Sequence, residues 1–123
     1  MRRSTPEVWM LIGDLARRTG VNPRLLRYYE AQGLLETTRT PSGYREYDED
    51  AVTTVRKIRV LLKAGLSTET IRTVLPCTVG EGPEFDWCAE LRDLMDRELA
   101  AMDDRIDTLQ QTRGTLAYYL SQP

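Results

Sequence analysis

Along the first third of the chain, apolar residues recur at helical spacing. Ile12, Leu15, Ala16 and Thr19 fall at i, i+3, i+4 and i+7, the stripe of a short amphipathic helix that ends at Gly20. A second short helix lies between Val21 and Gly33. Asn22 is placed to cap its first amides, Pro23 stands at the first helical position, and Gly33 supplies a left-handed stop. On it Arg24, Arg27 and Tyr28 stand at i, i+3 and i+4, so two guanidinium groups and a phenol share one face. That face suits phosphates and base edges. Helix, glycine-containing turn and polar-faced second helix make a helix-turn-helix over residues 12–33, whose second member enters a major groove.

The pattern then shortens. Pro41-Ser42-Gly43 is a turn signal between two strand-like pieces, and Tyr44 and Arg45 project just after it, so this hairpin reads as a wing that contacts flanking phosphates. Asp48 opens a third helix with Glu49 and Asp50 in its first turn, and Gly65 ends it. Its inward stripe is Ala51 or Val52, Val55, Ile58 or Arg59, and Leu62, with Arg56, Lys57, Arg59 and Lys63 on the remaining faces. Ser67 caps a fourth helix that turns Ile71, Val74 and Leu75 inward and stops at Pro76. The loop Gly65-Leu66-Ser67 between them reads as a second, smaller wing. Residues 76–87, rich in Gly and Pro, read as a linker, and residues 1–10 as a flexible leader ending in a short extended piece near Val8 to Leu11.

From 88 to 120 the period changes again. No Pro occurs and the one Gly is Gly114, which predicts a single helix about 50 Å long. Met95, Leu99, Met102, Ile106, Leu109, Leu116 and Leu120 follow one another in steps of four and three, with Arg113 taking one place in the series. That is the period of a coiled-coil seam. A lone helix of this length cannot bury its stripe within a small domain, so the stripe calls for a partner, most simply a second copy.

Charge sharpens the division. The chain carries 17 basic and 19 acidic side chains, but 13 of the basic and 9 of the acidic ones lie within residues 1–76, leaving 4 and 10 beyond. A basic front and an acidic rear imply that the front alone meets a polyanion. All but two of the cations, Lys57 and Lys63, are arginine, which suits bidentate phosphate and guanine contacts. There is no histidine, which excludes His-based acid–base catalysis and a Cys/His zinc site. No nucleophile–base set, phosphate loop or metal box is visible. No apolar run approaches the roughly 18 residues of a membrane span and no signal core opens the chain, so a cytoplasmic location is expected.

Ile12-Gly13-Asp14-Leu15-Ala16, then Leu26-Arg27-Tyr28-Tyr29-Glu30 with Gly33-Leu34-Leu35, then Gly43-Tyr44-Arg45-Glu46-Tyr47, closely resemble the MerR family of bacterial transcription regulators over residues 11–75. The resemblance implies a mainly α fold: a winged helix-turn-helix with a small β-hairpin wing, then a long C-terminal helix (88–120) that forms an antiparallel coiled-coil dimer. It implies a sequence-specific regulator that binds a palindrome in double-stranded promoter DNA and distorts it for RNA polymerase. By position, Arg24, Arg27 and Tyr28 match recognition-helix contacts, and Tyr44 and Arg45 match the wing. Arg17, Arg18 and Lys63 join them as phosphate contacts.

The rear departs from the best-known members: the later cysteines of metal sensors, the cysteine cluster of iron–sulfur sensors and a separate drug-binding domain are all missing. No cofactor or resident metal is implied, and the signal stays open. Cys77 and Cys88 are candidates for a thiol or soft-metal response, though cysteine is often only a small buried hydrophobe. Phe85, Trp87, Tyr118 and Tyr119 are candidates for an effector pocket between subunits, or simply interface anchors. Two other readings stay open at this point: an architectural or excisionase-like DNA-bending protein without a ligand, and a protein–protein adaptor that no longer binds DNA.

Overall fold

The computed structural model of the chain describes residues 9–80 and 84–123. Its elements run α1 (Ile12–Thr19), α2 (Pro23–Ala31), β1 (Thr38–Arg39), β2 (Arg45–Glu46), α3 (Glu49–Lys63), α4 (Thr68–Val74), a 3-10 turn (Leu75–Cys77), β3 (Thr78–Val79), β4 (Glu84–Phe85) and α5 (Ala89–Leu120). They form two units that divide between Asp86 and Trp87.

Local chemistry sets the ends of the short helices. The Asn22 carboxamide oxygen accepts from the Leu25 N–H at 2.8 Å, and Pro23 opens α2. At the other end Gly33 takes φ 77°, which lets the Leu34 N–H reach back to the Tyr29 carbonyl at 2.9 Å. Asp48 caps α3 through the Ala51 N–H at 3.2 Å, and Ser67 caps α4 through the Thr70 N–H at 3.1 Å. Each such cap contributes about 1 kcal/mol.

α1 packs on α2 and α3, and α3 on α4. Leu15, Leu26, Tyr29, Val55, Ile58, Ile71 and Val74 are all but completely covered, with Leu34, Leu35 and Tyr47 alongside them. Among the described residues the one buried polar residue is Thr19, which donates its hydroxyl to the Leu15 carbonyl at 2.8 Å and accepts from the Val21 N–H at 3.3 Å. It is therefore satisfied within the turn that joins α1 to α2.

Two expectations need correction. The α3 stripe ends on Leu61, with Leu62 half-buried, because the chain returns through Gly65 past Leu61 and the Leu66 N–H reaches the Leu61 carbonyl at 3.3 Å. Of the two alternatives Ile58 and Arg59, Ile58 takes the buried place and Arg59 lies on the exposed basic face. The leader does not extend to residue 10: Met10 is buried and exchanges two backbone hydrogen bonds of 2.8 Å with Tyr47. Residues 1–8 lie outside the described residues, as do 81–83.

The segment read as a linker holds the 3-10 turn and a second antiparallel pair, Thr78 with Phe85 and Val79 with Glu84. Lys57 Nζ donates to Thr78 Oγ1 at 3.0 Å, and the Thr78 hydroxyl donates to the Leu75 carbonyl at 2.7 Å. The Asp86 N–H bonds to the Cys77 carbonyl at 2.8 Å. α4 ends at Val74, just ahead of Pro76 as expected, and Pro76 itself sits inside the 3-10 turn.

α5 is a continuous helix of 32 residues. Met95 and Met102 are half-buried, whereas Leu99, Ile106, Leu109, Leu116 and Leu120 stand exposed along one side.

Candidate nucleic-acid interface

α2 is fixed by what it buries. Leu26 and Tyr29 anchor it in the core, and this leaves Arg24, Arg27 and Tyr28 exposed on the opposite side. Tyr29 is almost fully covered and serves packing, and that burial pushes its phenol above the ordinary value against the opposing charge of Arg59.

The wing is β1 and β2, paired Thr38 to Glu46 and Arg39 to Arg45. Its turn is held by its own polar groups. The Gly43 N–H reaches the Thr40 carbonyl at 2.9 Å with Gly43 at φ 91°, and the Thr40 N–H reaches the Tyr44 carbonyl at 2.8 Å. The Tyr44 N–H donates to Thr40 Oγ1 at 3.0 Å, and Arg39 Nη1 to the Gly43 carbonyl at 3.0 Å. Tyr44, 65% exposed, stands out from this turn.

Arg45, its neighbour, is placed differently. Its Nε donates to Glu30 Oε1 at 2.9 Å, and the two side chains are only 31% and 19% exposed. Tyr47 Oη donates to the same oxygen at 3.3 Å.

The remaining cations sort into two groups. Arg17 pairs with Asp14 one turn back. Arg18 grips Glu49 in a two-pronged contact at 2.7 and 2.8 Å, which holds the Glu49 carboxyl below its ordinary range and raises the guanidinium. Arg59 Nη1 reaches the Thr19 carbonyl at 2.9 Å, and Arg72 Nε the Gln32 carbonyl at 2.7 Å, so both close the ends of the helix-turn-helix. Among the described residues no ion pair engages Arg24, Arg27 or Lys63, all exposed. The sequence had marked neither Glu30 nor Arg72, and it had placed Arg59 on a basic face without naming its acceptor. For Glu30 a signal existed in its place within Arg27-Tyr28-Tyr29-Glu30, but nothing local named its partner.

Both thiols are free: Cys77 is half-buried in the 3-10 turn and Cys88, just ahead of α5, is exposed. Phe85 lies half-buried on β4. Trp87 and the Tyr118–Tyr119 pair lie at opposite ends of α5; the two tyrosine rings are 5.9 Å apart, and the Arg92 guanidinium lies 4.9 Å from the Trp87 ring centre. Among the described residues no group of three or more His, Cys, Asp or Glu side chains could hold a metal ion, and no helix is long and apolar enough to cross a membrane.

The family model described as MerR HTH family regulatory protein matches residues 10–77. The HTH-type transcriptional regulator ZntR of Escherichia coli (strain K12) is 34% identical over 106 residues, covering 85% of this chain and 74% of that protein. The transcription regulator PbrR691 of Ralstonia metallidurans CH34, solved with lead(II), superposes with a TM-score of 0.74 at 26% identity over 88% of this chain and 82% of its own. HiNmlR, a MerR family regulator lacking the sensor domain and solved on promoter DNA, shares the fold with a TM-score of 0.57 at 22% identity, covering 93% and 89%. A helix-turn-helix with exposed arginines, a hairpin beside it and a family match across both lead to one conclusion: the chain belongs to the MerR family and is a DNA-binding transcription regulator of the helix-turn-helix type.

Proposed function

We propose that the chain works in the cytoplasm as a homodimer. Antiparallel pairing of α5 with α5 of a second copy carries two recognition helices and two wings onto a palindromic promoter element. Backbone contacts there distort the DNA and so adjust the promoter for RNA polymerase. The observation that carries this reading is the sorting of the arginines. Arg17, Arg18, Arg45, Arg59 and Arg72 are each tied to an acceptor within the protein, whereas Arg24 and Arg27 face outward on the one helix suited to a major groove. Lys63, Tyr28 and Tyr44 extend that face as contacts to phosphate or base, and the exposed stripe of α5 supports the pairing. No catalytic step is assigned to it.

The signal enters through thiols in this reading. Cys88 is open to solvent and Cys77 partly so, which admits an oxidant, an electrophile or a soft metal ion. The tests are direct. Footprinting on the promoter of the protein's own operon shows two half-sites related by a twofold axis, and sedimentation at micromolar concentration shows a dimer. A single protected half-site or a monomer refutes the proposal. The Cys77→Ser/Cys88→Ser variant binds the operator as the parent does and loses any thiol-dependent response in transcription; a retained response removes the thiols from the mechanism.

A further inference from the structure

Glu30 is a carboxylate on an element that faces a polyanion. Left bare there it would repel phosphate, yet its side chain is 19% exposed and one of its oxygens takes two donors, Arg45 Nε at 2.9 Å and Tyr47 Oη at 3.3 Å. Burial pushes the Tyr47 phenol above its ordinary value, so the hydroxyl keeps its proton and remains a donor at neutral pH. Both donors lie on the chain leaving the wing, on and just after β2. Tyr47 is itself fixed, 1% exposed and paired through its backbone to Met10. On the other side of Arg45, Tyr44 belongs to a turn locked by Thr40 and Arg39. A chain of hydrogen bonds and adjoining residues therefore runs from the recognition helix through Glu30 and Arg45 to the exposed Tyr44 ring.

We infer that Glu30 and Arg45 are positioning residues that set the offset between wing and recognition helix, with Arg45 acting through Glu30 rather than at a phosphate. The inference rests on the DNA interface proposed above. A preset offset means that recognition helix and wing arrive together, so neither spends binding energy on ordering the other. It also makes the strength of the Tyr44 contact depend on a residue that never touches DNA.

The test is a set of operator titrations over a range of salt concentrations with the full chain. Glu30→Ala lowers operator affinity about fivefold or more, and the cost of Tyr44→Ala is then at least roughly threefold smaller than in the parent, since a loose wing delivers Tyr44 poorly. Glu30→Gln keeps an acceptor for both donors and retains most of the affinity. In the Glu30→Ala/Arg45→Ala variant, which removes the pair as a neutral unit, the slope of log K against log salt stays that of the parent. An equal Tyr44→Ala cost in both backgrounds overturns the inference. So does a slope reduced by about one in the double variant, the signature of a lost phosphate contact. Arg27→Ala run alongside separates the two levels: unchanged affinity there defeats the interface itself, whereas lost affinity with no Tyr44 coupling defeats only the positioning role.

Discussion

The front unit and α5 treat their apolar and charged residues in opposite ways. From Met10 to Val74 most large apolar side chains are covered, and most arginines find an acceptor inside the protein, so the cationic residues left over, Arg24 and Arg27 on α2 with Arg56 and Lys63 on α3, are few. α5 leaves five leucine and isoleucine side chains of its stripe in solvent, between 52% and 78% exposed. A unit that closes on itself can afford to present selected groups to a ligand. A helix that leaves such a stripe in solvent offers it to the pairing proposed above. Under the proposed function the contrast divides the labour within one short chain: recognition falls to what the first unit leaves unpaired, assembly to what the second leaves uncovered.

The largest effect falls on assembly. Leu109→Ala takes a leucine from each copy at the seam and weakens the dimer by about 4 kcal/mol, read by sedimentation equilibrium, while backbone hydrogen exchange in α1 to α4 is unchanged. Loss of protection in the front unit would show that the two regions are not independent in this way. Next in size is recognition. Arg27→Ala costs roughly 1–3 kcal/mol of operator binding at matched salt and leaves both folding and dimerisation alone; unaltered binding would erase the distinction between tied and untied arginines.

The smallest effect concerns a tied arginine. Glu49 has its carboxyl held below the ordinary range by the Arg18 hydrogen bond, so the stabilisation is present above the unfolded carboxylate value and fades as pH falls through the lower, folded one. Both groups are solvent-exposed, which keeps the effect slight. Acid titration of thermal stability shows a slightly steeper decline for the parent than for Arg18→Ala. Identical curves would mean that the pair contributes nothing.

What the sequence disclosed follows from the range of the interactions involved. Helix ends were readable because a cap is a conversation between residues three or four apart: Asn22 with Leu25, Asp48 with Ala51, Ser67 with Thr70. The apolar stripe of α5 was readable because one repeat sustains it over the whole helix. The exposed face Arg24, Arg27 and Tyr28 followed from helical spacing alone. The Thr78–Phe85 pair was not foreseen, since each strand has two residues, glycine and proline dominate its composition, and Thr78 is tied to Lys57 21 residues away. The Glu30–Arg45 pair escaped for the same reason, spanning 15 residues and two kinds of secondary structure. Its geometry separates Arg45 from Tyr44, which spacing had grouped together. Leu61 in place of Leu62 was decided by the return of the chain after Gly65, a tertiary fact that periodicity does not contain.

The nine residues of α2 hold their shape through Asn22 and Pro23 at one end, the Gly33 turn at the other, and Leu26 and Tyr29 beneath. None of these coincides with the outward positions. Mutation can therefore rewrite the proposed DNA-reading face without disturbing its scaffold, and under that proposal a lineage carrying this helix is free to acquire new operators one exchange at a time.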